Sequence, residues 1–206
     1  MLIYLIMGIT LGFSAAVQPG PFQTFLVSRT LHQGWRHTLP AACAPLLSDL
    51  PIVVLALLIL VRVPVWLQDV LHLAGGFFVL YLAYGAYQSF KRYNPDQPVL
   101  PQSRSQNFIK AVTVNLLNPN PYLEWSLVMG PLLLKGWGEA HHNGIALVGG
   151  FYGALILVTA AIILMFAGIG KLVPRINRIL IGISVVALAG FGFYQLWLGV
   201  AALWFK

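Results

Sequence analysis

Two carboxylic acids stand inside long apolar runs: Asp49, between Ser48 and Pro51, and Glu124, five residues after Pro119. A carboxylate at the centre of a bilayer costs on the order of 3 kcal/mol on insertion scales, so it needs a watery cavity, a partner or a proton. Either acid is therefore a candidate to carry a proton or to pair with a solute's ammonium group. The plainer alternative for Asp49 is an acid that ties one helix to its neighbour, and for Glu124 an acid near enough to a helix end to reach water. Two proline clusters accompany them, Gln18-Pro19-Gly20-Pro21 and Asn118-Pro119-Asn120-Pro121. Proline inside a helix removes a backbone hydrogen bond and kinks the chain. In hydrocarbon such breaks persist where they are buried in protein or line a cavity. Gln18, Asn118 and Asn120 border the breaks, and their amides can donate and accept, either to the loosened backbone or to a solute.

The elements that must position these groups follow from composition. Of 206 residues, 59% are hydrophobic and only 8% charged, against roughly a quarter charged in soluble domains. Twelve basic and five acidic residues cannot clothe a soluble domain of this size. Apolar stretches reach the roughly twenty residues needed to cross the hydrocarbon core. The net charge of +7 is not a nucleic-acid footprint, because the basic residues fall between apolar runs and form no stripe on one domain; membrane lipid is the expected partner for them. The first apolar run lacks the basic start of a signal peptide and leads into the first proline cluster, so it reads as retained.

Apolar runs and breakers predict an all-α integral membrane protein of six transmembrane helices, at 2–28, 39–61, 67–89, 108–134, 144–170 and 178–204. Helices one and four carry the proline breaks. A polar linker, 91–107, expected to be cytoplasmic, separates a first three-helix repeat, 1–90, from a second, 108–206. Nine basic residues (Arg29, Arg36, Lys91, Arg92, Arg104, Lys110, Lys171, Arg175 and Arg178) fall on one side of the predicted spans and three (Arg62, Lys135 and Lys206) on the other. That bias places both termini outside the cytoplasm. The halves share the proline motif and a following Gly-Trp pair, Gly34-Trp35 and Gly136-Trp137, at a nearly constant offset. An odd number of spans per half inverts the second copy, and paired breaks in two inverted repeats are the best sequence pointer to a transporter's midplane site.

Other features read as structural. Cys43, the single cysteine, is expected to be a small apolar filler, and it excludes a disulfide or a self-contained dithiol electron carrier. Gly149-Gly153 and Ala146-Gly150-Ala154 set small residues four apart on span five, with Gly182, Gly190, Gly192 and Gly199 on span six, and such spacing lets helices approach closely. His72 reads as interfacial. His141-His142, in a predicted loop with Glu139 nearby, make a poor metal site. No GxSxG, HExxH or Walker-type phosphate loop is present, so the chain reads as a non-enzyme that needs no cofactor.

In order, Gln18-Pro19-Gly20-Pro21, Arg29, Gly34, Asp49 and Asn118-Pro119 resemble the LysE/RhtB family of amino-acid exporters across nearly the whole chain. The resemblance implies efflux of amino acids or related small polar metabolites, driven by the proton-motive force. It also implies a multi-pass protein of the cytoplasmic membrane, with a second copy of the chain as its partner in a homodimer. Matched position by position, Pro19, Gly20 and Pro21 carry the first motif, Asp49 the acid of span two, and Asn118 and Pro119 the second motif. Two positions depart from it. Ser48 precedes Asp49 where members often have glycine. After Asn118-Pro119 many members carry lysine, whereas Asn120-Pro121 and then Glu124 follow here, exchanging a cation for an acid. The expected substrate-contacting set is Gln18, Pro19, Gly20, Pro21, Asp49, Asn118, Pro119, Asn120 and Glu124, in a secondary transporter working by alternating access. The competing classes are a divalent metal-ion exporter of related plan, which would want several intramembrane acids or histidines, and a membrane scaffold, which has no reason to carry two costly breaks.

Overall fold

The computed structural model describes residues 1–59, 65–91, 103–172 and 174–204, and these form helices joined by short breaks, with no strand among them. Arg62 and most of the 91–107 linker lie outside the described residues. The first proline cluster divides the first predicted span into two helices. Helix α1, Leu2–Val17, and helix α2, Pro21–Gln33, meet at 63°. Pro21 opens α2, where proline's missing N–H costs nothing and its fixed φ suits the helix. Gly20 before it is extended, at φ −169° and ψ 179°.

After α2 come a short helix α3, Trp35–Thr38, a 3-10 turn, Leu39–Cys43, and helix α4, Ala44–Ile59. Together they make one apolar run, Trp35–Leu58, long enough to span a membrane. Gly34 joins α2 to α3 at φ 81° and ψ 160°, a region open essentially to glycine alone. Gly34→Ala should therefore lose about 1–3 kcal/mol of stability, read as a lower Tm of the purified protein. An unchanged Tm would show that this junction is not held in the conformation seen here.

Helices α5, Val65–Lys91, α9, His141–Leu172, and α10, Pro174–Trp204, are the other long elements. His141 and His142 thus begin α9 and do not sit in a loop, and His141 meets the Trp137 ring edge-on at 4.9 Å. Between α5 and α9 the chain is broken again. Helix α6, Arg104–Leu116, is capped by Ser103, whose Oγ accepts from the Gln106 amide at 3.3 Å. It stops before Asn118, and helix α7, Pro119–Glu124, restarts the run. A π-helical stretch, Trp125–Met129, then leads into helix α8, Gly130–Glu139. Among the described residues, four helical runs are long and apolar enough to cross a membrane, and the bent α1–α2 pair makes a fifth. The predicted fourth span, 108–134, is broken at its prolines as expected, but into short pieces none of which has the length of a span.

Packing between the long helices is close because glycines remove the intervening side chains. A Cβ at Gly8 would strike the Leu147 carbonyl, one at Gly12 the Phe151 carbonyl, and one at Gly150 would lie 2.7 Å from the Leu5 carbonyl. These three glycines set α1 directly against α9. Gly149 and Gly153, expected at a helix interface, face outward with no atom near them. On α10, Gly192 and Gly199 pack against Leu80 and Leu73 of α5, whereas Gly190 is open. Gly34 and Gly136 do not correspond structurally: the first ends a helix, while the second lies inside α8 under the Tyr4 ring. Cys43 is exposed and fills no core.

Two apolar clusters result. One gathers Phe22, Phe25 and Leu26 of α2 with Ala111 and Val114 of α6 and with residues of α5, α9 and α10. The other gathers Tyr4 of α1, Ile52 of α4, Trp125 and Met129 of the π stretch, and Leu147, Phe151 and Leu155 of α9. Large apolar side chains such as Leu58, Phe77, Leu157, Val186 and Trp197 lie on the outer surface, as a lipid-facing surface requires.

Candidate functional site

Between the two apolar clusters lies a small cavity at which both chain breaks meet. It holds about 60 Å³ and is lined by Gln18, Pro19, Gly20 and Gln23 from the first break, and by Asn115, Asn118, Asn120, Pro121 and Glu124 from the second. Asp49 and Pro45 close it from α4, and Phe151 and Leu155 from α9. Of the expected set, Gln18, Pro19, Gly20, Asp49, Asn118, Asn120 and Glu124 all reach this one space. Pro21 and Pro119 are not in its wall; each occupies the first position of the helix that restarts the chain.

Asp49 is only 3% exposed, and its carboxylate is held from two other helices. Asn115 Nδ2 of α6 donates to Oδ1 at 2.7 Å, and the Tyr152 hydroxyl of α9 donates to Oδ2 at 3.1 Å. Asn115 Nδ2 also reaches Ser48 Oγ at 2.8 Å, and Ser48 donates back to the Ala44 carbonyl at 3.1 Å. The serine that stands beside the acid is thus a link in its support. Both carboxylate oxygens accept hydrogen bonds, which fixes the acid's rotamer and offsets part of its desolvation. The ring of Tyr152 stacks on that of Trp125 at 6.3 Å, and Trp125 packs edge-on to Phe151 at 6.0 Å. Trp125 is fully buried, and its indole Nε1 has no hydrogen-bond partner.

The amides divide their work. Asn118 Oδ1 accepts from the Asn120 backbone N–H at 3.1 Å, capping the restarted helix. Tyr122 donates its hydroxyl to the Leu116 carbonyl at 3.0 Å, satisfying a carbonyl freed at the break. Gln23 Nε2 reaches Thr159 Oγ1 at 3.3 Å, while its Oε1 is buried and unpartnered. Gln18 and Glu124 enter the wall without a hydrogen bond to another side chain among the described residues. Directly after Glu124 the helix widens into its π stretch, a distortion frequent at functional sites.

Asn115, Gln23, Tyr152 and Trp125 were not singled out from the sequence. Asn115 had a usable signal: it is a lone amide in the apolar run Val112–Leu117, three residues before Asn118. Tyr152 had none, since a tyrosine among glycines and alanines reads as packing.

Chemically, the wall presents two acids and several amides, and among the described residues it holds no lysine, arginine or histidine. Such a wall offers partners for a cation or a proton and no fixed positive charge for an anion. At about 60 Å³ the space is well below the roughly 300–1,000 Å³ of an open ligand pocket.

Two curated relatives, the arginine exporter proteins ArgO of Shigella flexneri and of Escherichia coli O157:H7, are each 26% identical to the chain over 139 residues. The match spans 64% of the chain and 64% of each relative, just under two thirds of their length. No solved structure matches the chain. The family model for the LysE-type translocator matches residues 13–199 and so contains both breaks, Asp49 and Glu124. With its apolar helices the protein is a multi-pass protein of the inner membrane, and it belongs to the LysE-type translocator family.

Proposed function

We propose that the protein exports amino acids by alternating access, with Asp49 and Glu124 meeting the positive charge of the substrate and exchanging protons with it. The observation that carries this reading is the cavity wall itself, in which two carboxylates converge with no balancing cation among the described residues. A substrate ammonium or guanidinium would supply the missing charge, and between substrates a proton would do so. Two acids favour a basic side chain, which agrees with the arginine named for the relatives.

The two apolar clusters serve as the gates in this reading. Phe22, Phe25 and Leu26 close the cavity on the α2 side, and Trp125, Met129 and Phe151 on the other. The breaks at 18–20 and 117–118 supply hinges where few backbone bonds hold the half-helices together. The inverted repeat gains support from packing: α1 lies on α9 and α6 lies on α4, the exchange that a two-fold axis relating the halves would generate. In that arrangement α6–α8 is the sixth span, broken as α1–α2 is, and the basic residues put both termini outside.

The metal-export alternative asks for three or more ligating groups together, and the described residues bring two acids to the cavity. The test is efflux from proteoliposomes loaded with a mixed amino-acid pool, with and without a pH gradient. Selective release of one or a few amino acids, faster with external protons available for exchange, is the expected result. Folded protein that releases no amino acid refutes the reading and turns attention to divalent ions.

A further inference from the structure

A zwitterionic amino acid also carries a carboxylate, and the described residues of the cavity wall include nothing positive to receive it. The chain does hold a buried cation elsewhere on the same helix. Arg29 of α2 is only 8% exposed. Its guanidinium lies 5.3 Å from the centre of the Phe25 ring, and no carboxylate among the described residues forms an ion pair with it. His32, one turn on, is also 8% exposed, and its Nε2 is buried without a partner. Lys110 of the facing helix α6 lies near enough for its charge to act on Arg29. Beyond them Asn107 Nδ2 donates to Gln33 Oε1 at 2.7 Å and joins the two helices. An arginine taken out of water with a lysine as neighbour is costly, and an anion is the partner that relieves it.

The helix also links this cluster to the cavity. Phe22, Phe25 and Arg29 follow one another at i, i+3 and i+7 and therefore share a face. Phe22 stands in the cavity wall, Phe25 lies under the guanidinium, and seven residues of helix put Arg29 about 10 Å beyond Phe22. By the distribution of basic residues this is the cytoplasmic end, from which an exported substrate arrives.

We infer that Arg29, with Lys110 and His32 beside it, is a carboxylate-binding station at the cytoplasmic mouth, separated from the acid-lined cavity by the Phe22–Phe25 gate. It rests on the exporter reading above and adds to it the recognition of the substrate's α-carboxylate. Arginine suits the task because its planar fork meets a carboxylate in a bidentate pair. The substrate's two charges are then met by two separate places, the carboxylate first and the cationic group after the gate opens.

The experiment compares an exported amino acid with its decarboxylated amine, such as arginine with agmatine, in proteoliposomes carrying wild type, Arg29→Gln, Arg29→Lys or Lys110→Gln. Wild type should prefer the amino acid. Arg29→Gln should raise KM for the amino acid about tenfold to a hundredfold, the loss expected for one charge-assisted pair, and narrow the preference over the amine. Arg29→Lys should recover part of that preference, and Lys110→Gln, at a less buried position, should narrow it to a smaller degree. Quantifying each protein in the membrane separates these effects from misfolding. A preference unchanged in both Arg29→Gln and Lys110→Gln, or a wild type that carries the amine as well as the amino acid, overturns the station and leaves the exporter reading standing. Wild type that transports neither compound nor any other amino acid overturns the exporter reading itself.

Discussion

Asp49→Asn should stop export, lowering the initial rate of efflux at least a hundredfold, while the protein inserts and accumulates as wild type does. The substitution keeps the size of a side chain that is 3% exposed. It also keeps a carbonyl to accept from Asn115, and the Tyr152 hydroxyl can turn to meet an amide as readily as a carboxylate. The local packing of α4, α6 and α9 is therefore preserved. What disappears is the negative charge and the capacity to take up and release a proton. A charge-assisted contact to substrate is worth about 1.5–3 kcal/mol, or roughly one to two decades of rate at 1.4 kcal/mol per decade. In the proposed proton-coupled cycle, loss of proton exchange removes the driving gradient as well. The measurement is initial efflux at saturating internal substrate, normalised to folded protein. Wild-type export by the asparagine variant would sink the role given to Asp49 and leave Glu124 as the other carboxylate among the described residues of the wall.

Gly12→Leu should be the most damaging single change to the fold. A Cβ there meets the Phe151 carbonyl of α9, and backbone cannot move aside as a flexible side chain can. To admit leucine, α1 and α9 must separate along their length, which also pulls Leu147 and Phe151 out of the cluster that closes one side of the cavity. The cost is at least the roughly 1–3 kcal/mol of ordinary overpacking, so the Tm of the solubilised protein should fall by roughly 5 °C or more. Gly153→Leu is the matched control: it sits on the opposing helix α9, exposed and with no atom where a side chain would begin, and should leave the Tm unchanged. Equal behaviour of the two variants would mean that α1 does not lie against α9 in the way described.

These two cases differ in how far the chain itself announces them. Asp49 is conspicuous because an acid in an apolar run is costly wherever that run goes. Its partners are less so: Asn115 and Tyr152 are neighbours of Asp49 only because α6 and α9 cross α4 at that depth. Gly8 and Gly12 stand four apart in an apolar run, the spacing that marks a close helix contact, and could have been chosen from the sequence. Gly149 and Gly153 carry the same spacing and face outward. Spacing shows that a face is smooth and says nothing of whether another helix lies upon it. The Gly-Trp pairs make the same point in reverse, since Gly34 ends a helix at a positive φ while Gly136 packs within one.

Membrane residence, the two proline breaks and the candidate acids were determined by the sequence alone, because each depends on local quantities: the apolar content of a window, a missing N–H, a charge without nearby water. The tertiary structure decided the rest. It showed that 104–139 runs as short helices joined by a break and a π stretch, that both breaks and both acids open onto one cavity, and that Arg29 is buried without an ion pair to any described acid. Helices that are apolar on nearly every side carry little periodic signal of which face turns inward. Their mutual rotation is settled by close contacts such as Gly12 on Phe151, and side chains far apart in the chain become partners only once those contacts are made.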